Sequence, residues 1–149
     1  MDTLTWRQVD FSSVVVAGVA GGYLMAMVGL WAGRVPHLVT IDLADHGRRY
    51  MTSDRASAWL IGLVSHLLNS VLLVLLWAMV VQPNLGIHRA LAGLLWGEFL
   101  AVGLAGALLG PLSGIGFMGQ KTGNSRFAIT ALLMHAVWGL VIGALYVPR

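Results

Sequence analysis

The sequence has no cysteine and very few charged residues. Only 10% of its 149 residues are Asp, Glu, Lys or Arg, against about 25% in a typical soluble domain. The missing cysteines exclude disulfides, thiolate metal sites and iron–sulfur clusters. The shortage of charge excludes a soluble globular domain, because too few polar side chains remain to cover a surface in water.

Charge is absent over four long stretches, which are residues 11–33, 56–88, 99–120 and 127–148. The chain is 58% hydrophobic with a mean hydropathy of +0.81, and a helix needs about 20 apolar residues to cross the hydrocarbon of a bilayer. We therefore predict an all-α integral membrane four-helix bundle that forms a single transmembrane domain, residues 1–149. The predicted spans are about 12–32, 57–81, 90–109 and 127–147. The first predicted span is too long for the apolar region of a cleaved signal peptide, and it lacks the basic residues that precede such a region.

The basic residues predict an orientation. Two loops on one side of the membrane, an interfacial loop 1 (about 33–56) and a loop 3 (about 110–126), carry six of the nine. These six are Arg34, Arg48, Arg49, Arg55, Lys121 and Arg126, and the other three are Arg7, Arg89 and Arg149. The positive-inside rule places loops 1 and 3 in the cytoplasm and both termini outside. The expected location is the cytoplasmic membrane of a prokaryote.

The two loops also suggest local structure. Thr40 in loop 1 is a candidate cap for a short helix from Ile41. The glycines of loop 3 superficially resemble a phosphate-binding loop, but Gln120 separates Gly119 from Lys121, and a membrane helix rather than a strand precedes them. We expect neither nucleotide nor nucleic acid as a partner, and the lipid bilayer as the surroundings.

The two halves of the chain resemble each other. Segment 17–26 aligns with 92–101 through Ala and Gly, and segment 66–77 aligns with 135–146 through a shared histidine. The pattern predicts two tandem helical hairpins related by a pseudo-two-fold axis along the membrane normal. The repeat contains Gly-x-x-x-Gly patterns, which let backbones approach closely in lipid. Helix packing is expected at Gly18, Gly22, Gly93, Gly97, Gly139 and Gly143.

Several polar residues lie deep in the predicted spans. Counting from Arg55 and Arg126, His66 and His135 are both about 14–16 Å from the same surface, and Glu98 reaches a similar depth from the opposite side. Ionisable groups at the bilayer centre cost about 2.5–3.5 kcal/mol each, so these three should face inward and share a hydrogen bond or a ligand. The predicted buried polar network comprises His66, Asn69, Ser70, Glu98, His135 and Tyr23.

Three roles are open for this network. The first is a structural hydrogen-bond network without a cofactor. The second is ligation of haem b by His66 and His135, or of a (bacterio)chlorophyll by one of them. The third is a site of two histidines and a carboxylate, for a metal or a proton relay. The chain has no further carboxylates to extend a proton path, and we expect no metal and no catalytic residue.

The segments AWLIGLVSHLLNSVLLVLLWA, HRALAGLLWGEFL, GPLSGIGF and MHAVWGLVIGALY, in this order, resemble small four-span prokaryotic membrane proteins of unknown function. Those proteins have a His-x-x-x-Gly element in spans two and four and a Pro-x-x-Gly-x-Gly-Phe-like element after span three. The resemblance covers about residues 40–146 and implies the four-span fold and the repeat, but no activity. Ser70 departs from the glycine of the first element.

The sequence indicates a protein that is not an enzyme. Its shortage of polar surface and its glycine-rich, aromatic faces favour a non-catalytic accessory or scaffold subunit. Such a subunit would pack against a larger integral membrane complex, respiratory or photosynthetic. The alternative is a small electron-transfer protein that binds haem b or a pigment.

Overall fold

The computed structural model of the protein describes residues 8–48 and 54–149. Four helices are long and apolar enough to cross a membrane: span 1 (Phe11–Ala32), span 2 (Arg55–Leu85), span 3 (Arg89–Leu112) and span 4 (Arg126–Leu145). The described residues contain helices and no strand, so the all-α prediction with four spans is confirmed. These lengths and compositions indicate a multi-pass membrane protein.

Side chains at the helix starts explain where three of the spans begin. Asp10 accepts a hydrogen bond from the amide of Ser13 at 2.8 Å, and Asp54 accepts from the amides of Ala56 and Ser57. His88 accepts from the amide of Ala90 through Nδ1. These acceptors satisfy amides that have no partner inside the helix.

The short helix in loop 1 is Leu43–Gly47. Asp42 accepts a hydrogen bond from the amide of Ala44 at 2.9 Å, so the expected cap at Thr40 and the start at Ile41 are wrong. Thr40 instead packs against the end of span 1, where its hydroxyl fills the space beside Gly33. Arg7 and Arg49, which both entered the charge count, lie outside the described residues.

Two stretches within the spans are wider than an α-helix. Trp77–Val81 in span 2 and Leu100–Leu109 in span 3 form π-helix. After the π-helical stretch, span 2 continues as α-helix over Gln82–Leu85. It ends at Gly86, which has a left-handed backbone with φ of 61°. Span 2 is therefore four residues longer at this end than the sequence suggests.

The order of the helices in space differs from their order in the chain. Span 1 packs between spans 2 and 4, and span 4 packs between spans 1 and 3. Spans 2 and 3 approach each other near the end marked by Trp77, where Trp96 Nε1 donates to the carbonyl of Leu73 at 3.3 Å. Trp77 and Tyr146 meet edge to face there, with ring centroids 5.4 Å apart.

The two ends of the described chain are tied together at this same end of the bundle. The amide of Val147 donates to the hydroxyl of Ser13 at 2.7 Å, and the guanidinium of Arg149 lies 3.5 Å from the carboxylate of Asp10. Arg89 also donates to the carbonyl of Tyr146. These contacts join span 1, span 3 and the residues that follow span 4.

Candidate functional site

The first hairpin is closed by two glycines of span 1 against span 2. A Cβ atom built on Gly18 would lie 2.7 Å from Cα of Val71, and one on Gly22 would lie 2.9 Å from Cβ of Ser70. Neither position has room for a side chain. The backbones are close enough for side chains of span 2 to bond carbonyls of span 1.

The second hairpin is closed by glycines on both helices. A Cβ on Gly93 would meet the carbonyl of Gly139, and one on Gly97 would meet the carbonyl of His135. Gly143 lies in the same way against Arg89. The six glycines singled out from the sequence therefore all lie at contacts between spans, as expected where packing rather than the hydrophobic effect holds helices together.

Ser70 joins three spans by hydrogen bonds. Its hydroxyl donates to the carbonyl of Gly18 at 2.6 Å and accepts from Nε1 of Trp138 at 2.7 Å. Ser70 is 3% exposed and Trp138 is 2% exposed, so both bonds form in a low-dielectric interior. This bond chain orients the wall of span 2 that also carries His66, one helical turn earlier.

The two deep histidines are each fixed by a backbone carbonyl. His66 donates from Nε2 to the carbonyl of Gly22 on span 1 at 3.0 Å. His135 donates from Nδ1 to the carbonyl of Ala131 on its own helix at 2.8 Å. With a proton on Nδ1, the neutral ring of His135 has Nε2 as an acceptor, and no group in the described part of the chain bonds that nitrogen.

Both histidines line one large cleft. Its volume is about 810 Å³, and it lies among all four spans, between the diverging parts of spans 2 and 3. Apolar side chains such as Leu73, Leu104 and Met134 form most of its wall. A volume of this size is within the usual range for ligand sites in proteins, about 300–1,000 Å³.

The wide turn of span 3 builds one wall of the cleft. In a π-helix each amide bonds five residues back, so side chains separated by four or five positions share a face. Leu100, Ala101, Leu104, Ala105 and Leu109 accordingly all line the cleft. π-Helices are rare in proteins, and those that do occur often lie at functional sites. The residue types of this stretch do not predict the wider helix or the wall that it forms.

The mouth of the cleft lies at the loop 1 end. Asp42 and Asp45 line it, and each is paired: Asp42 with Arg55, and Asp45 with Arg48 at 3.0 Å. The charges at the mouth are therefore balanced within the chain. The cleft runs from these pairs to the histidines, a depth of about 14–16 Å from the start of spans 2 and 4.

The predicted polar network is only partly assembled. Ser70 and the two histidines line the same cleft. Asn69 also lines it but is exposed, so its assignment to a buried network is wrong. Tyr23 is 48% exposed, so its assignment to a buried network is wrong: Gly21 and Gly22 face the neighbouring spans, and the next residue points outward. Glu98 is partly buried and has no hydrogen bond in the described part of the chain, because Gly97 is the residue that faces span 4.

The described residues do not form a metal-ligand cluster, in the cleft or outside it. Among residues 8–48 and 54–149, no group of three or more His, Asp or Glu side chains is placed to hold a metal ion. Comparison with protein families, with curated proteins and with solved structures finds no match to this chain.

Proposed function

We propose that this protein is a non-catalytic accessory subunit, a compact scaffold that packs against a larger integral membrane complex. A respiratory or photosynthetic complex is the partner to test first. The glycine-closed hairpins support the proposal because they make a rigid unit with close backbone contacts. The observation that carries it is the outer face of span 2.

Span 2 presents a regular ridge away from the bundle. It is the longest span, with 31 residues. Within its apolar 18-residue segment 22% is buried inside the bundle, against 44% for the corresponding segment of span 1. The exposed side chains on the ridge are Leu60, Val64, Leu68, Leu72 and Leu76. Leu72 stands at the edge of the ridge and also lines the cleft. Ridges with a spacing of four residues are the surfaces that fit into grooves of another helix. We therefore assign this face to the partner.

Paired tryptophans test this docking face. Val64→Trp with Leu68→Trp should reduce the amount of chain that migrates with a larger species after mild solubilisation, because two large rings no longer fit the partner's groove. The matched control is Val15→Trp with Val19→Trp on the exposed face of span 1. Equal loss in both variants, or in neither, would contradict the proposed face.

We further propose that the two hairpins are a true internal repeat. Equivalent positions make equivalent contacts: Gly18 meets Ser70 and Val71, while its counterpart Gly93 meets Gly139. Gly22 accepts a bond from His66, and Gly97 packs on the backbone of His135. The matched aromatic residues Trp77 and Tyr146 contact each other, as residues near a two-fold axis do.

A second candidate function is binding of haem b or (bacterio)chlorophyll, favoured because both imidazoles line one cleft. His135 fits an axial ligand, since a ring that donates from Nδ1 to a carbonyl keeps Nε2 for coordination. His66 fits less well, because its Nε2 bonds Gly22. An absorption spectrum of the purified protein decides: a Soret or pigment band supports this function, and a spectrum with only the aromatic peak contradicts it.

We also propose an orientation in the cytoplasmic membrane of a prokaryote, with both termini outside. Arg34, Arg48 and Arg55 lie at the loop 1 end of the bundle. The Arg34 guanidinium is 4.0 Å from the centre of the Trp31 ring, an arrangement suited to a membrane surface. A reporter fused after Arg149 should be active outside the cytoplasm. Activity only in the cytoplasm would reverse the orientation.

A further inference from the structure

A scaffold that only docks on another protein does not require a deep cleft in its own bundle. This bundle has one of about 810 Å³, and a π-helical stretch of ten residues forms one of its walls. The cleft is lined by the imidazole of His135, whose remaining nitrogen has no partner in the described part of the chain. Two independent features, the wide helix and the imidazole acceptor, therefore meet in the same cavity.

We infer that the cleft binds a neutral, membrane-soluble alcohol or phenol, whose hydroxyl donates a hydrogen bond to Nε2 of His135. The inference goes beyond the accessory role and does not depend on it. The apolar body of the ligand would lie along Leu73, Leu104 and Met134. It would enter between spans 2 and 3, where they diverge towards the mouth of the cleft at the loop 1 end.

The head group must donate a proton because the acceptor is fixed. The carbonyl of Ala131 can only accept, so Nδ1 of His135 holds the proton and Nε2 holds the lone pair. A ligand with only carbonyl or ether oxygens has no proton to offer this nitrogen. The amide of Asn69, which also lines the cleft, can donate to the oxygen of the same hydroxyl.

The ligand must also be neutral. Among the residues that the structure describes, no Lys, Arg, Asp or Glu lines the deep part of the cleft, and the two carboxylates at the mouth are paired with Arg48 and Arg55. An ion at the depth of His135 would lose its hydration without gaining a partner of opposite charge. An uncharged hydroxyl on an apolar body avoids that cost.

The experiment compares two ligands that differ by one methyl group. The full chain in lipid nanodiscs is dialysed against labelled 4-decylphenol or 4-decylanisole, with empty nanodiscs as the blank. The phenol should bind about 10-fold more tightly than its methyl ether, which is the ratio expected for one hydrogen bond in an apolar site. Equal binding of the two, or binding of neither above the blank, overturns the inference.

Three variants locate the site. His135→Phe keeps an aromatic ring without an acceptor and should reduce the ratio between phenol and ether to about one. Leu140→Phe, on the exposed face of the same helix, should leave the ratio unchanged. Leu104→Trp fills the cleft and should weaken both ligands. A ratio that persists in His135→Phe places the phenol elsewhere and overturns the assignment.

The same preparation separates this ligand from haem. Haemin added to the nanodiscs should give no Soret shift that depends on His135. A shift that His135→Phe abolishes would make iron the occupant and overturn the assignment to an alcohol or phenol. If His135→Phe fails to fold, the comparison of phenol and ether on the unaltered chain still decides, and Leu104→Trp still locates the cleft.

Discussion

At the scale of single residues, the glycines determine how closely the spans approach each other. A residue next to such a glycine in the sequence lies on a different face of the helix and points away from the contact. The Gly-x-x-x-Gly spacing identified six glycines that lie at contacts, because a missing side chain has its main use where two backbones meet. It did not identify Gly21, Gly29 and Gly62, which also lie close against other segments. Depth alone was not sufficient for Tyr23 and Glu98. Depth gives the position of a residue along the helix axis. It does not give the side of the helix on which the residue lies, which here follows from the span that the adjacent glycine contacts.

Gly97→Ala should destabilise the bundle by about 1–3 kcal/mol, the usual cost of overpacking a close contact. The new methyl group would meet the carbonyl of His135, which is backbone and has no rotamer to change. Reversible unfolding in mixed micelles measures the loss.

Gly103→Ala is the matched control on the same span, since a Cβ at Gly103 meets nothing within 4 Å. Its stability should not fall, because alanine in a helix interior is up to about 1 kcal/mol more favourable than glycine. Similar losses in the two variants would mean that the contact with span 4 is not the cause.

Ser70→Ala should cost about 1–3 kcal/mol, because it leaves both Nε1 of Trp138 and the carbonyl of Gly18 without their buried partner. The tryptophan emission should change as well, because the indole loses its hydrogen bond. Ser65→Ala on the same helix is the control, because its hydroxyl donates to the carbonyl of Gly62 within that helix and to no other span in the described part of the chain. A Ser70→Ala variant as stable as Ser65→Ala would contradict the role of the bond chain.

At the scale of helices and loops, hydropathy predicts the spans well and their internal geometry poorly. The number of residues in a charge-free run decides whether it can cross a bilayer, and its hydrogen-bond pattern does not enter. The four spans therefore follow from the lengths of the runs. The π-helix at Leu100–Leu109 does not. Its Leu, Ala, Val and Gly residues occur equally in α-helical membrane spans, so their types do not distinguish the wider form. The cleft was missed for this reason.

The start of span 2 should respond to acid. The hydroxyl and amide of Ser57 hold the pKa of the Asp54 carboxyl below its ordinary value of 3.8. Because the pKa is lower in the folded chain, the carboxylate stabilises the helix start above about pH 4, and this stabilisation is lost as the pH falls through the folded pKa. Amide exchange of Ala56 and Ser57 between pH 5 and 2, corrected for intrinsic rates, measures the loss.

Asp54→Asn is the control for this titration. An asparagine still caps a helix but does not ionise, so amide protection should become independent of pH over this range. The contradicting result is protection in the unaltered chain that rises as the pH falls, or that changes equally in the asparagine variant.

At the scale of the whole molecule, the spans differ in length although they cross one bilayer. Span 2 has 31 residues and span 4 has 20, which corresponds to about 46 Å and 30 Å. A helix longer than the hydrocarbon, about 30 Å, accommodates the mismatch by tilting. Span 2 contacts span 3 near Trp96 and diverges from it towards loop 1, so a larger tilt opens the cleft further.

Bilayer thickness should therefore act as a control on the width of the cleft. The chain has no cysteine, so Leu72→Cys with Leu104→Cys places one spin label on each side of it without further changes. The distance between the labels should be longer in lipids with short acyl chains than in lipids with long ones. A pair across spans 1 and 4, Val15→Cys with Leu140→Cys, should keep one distance in both. If the cleft pair also keeps one distance, the tilt of span 2 is fixed by packing, and a cell cannot adjust access to the cleft by the membrane in which it places this protein.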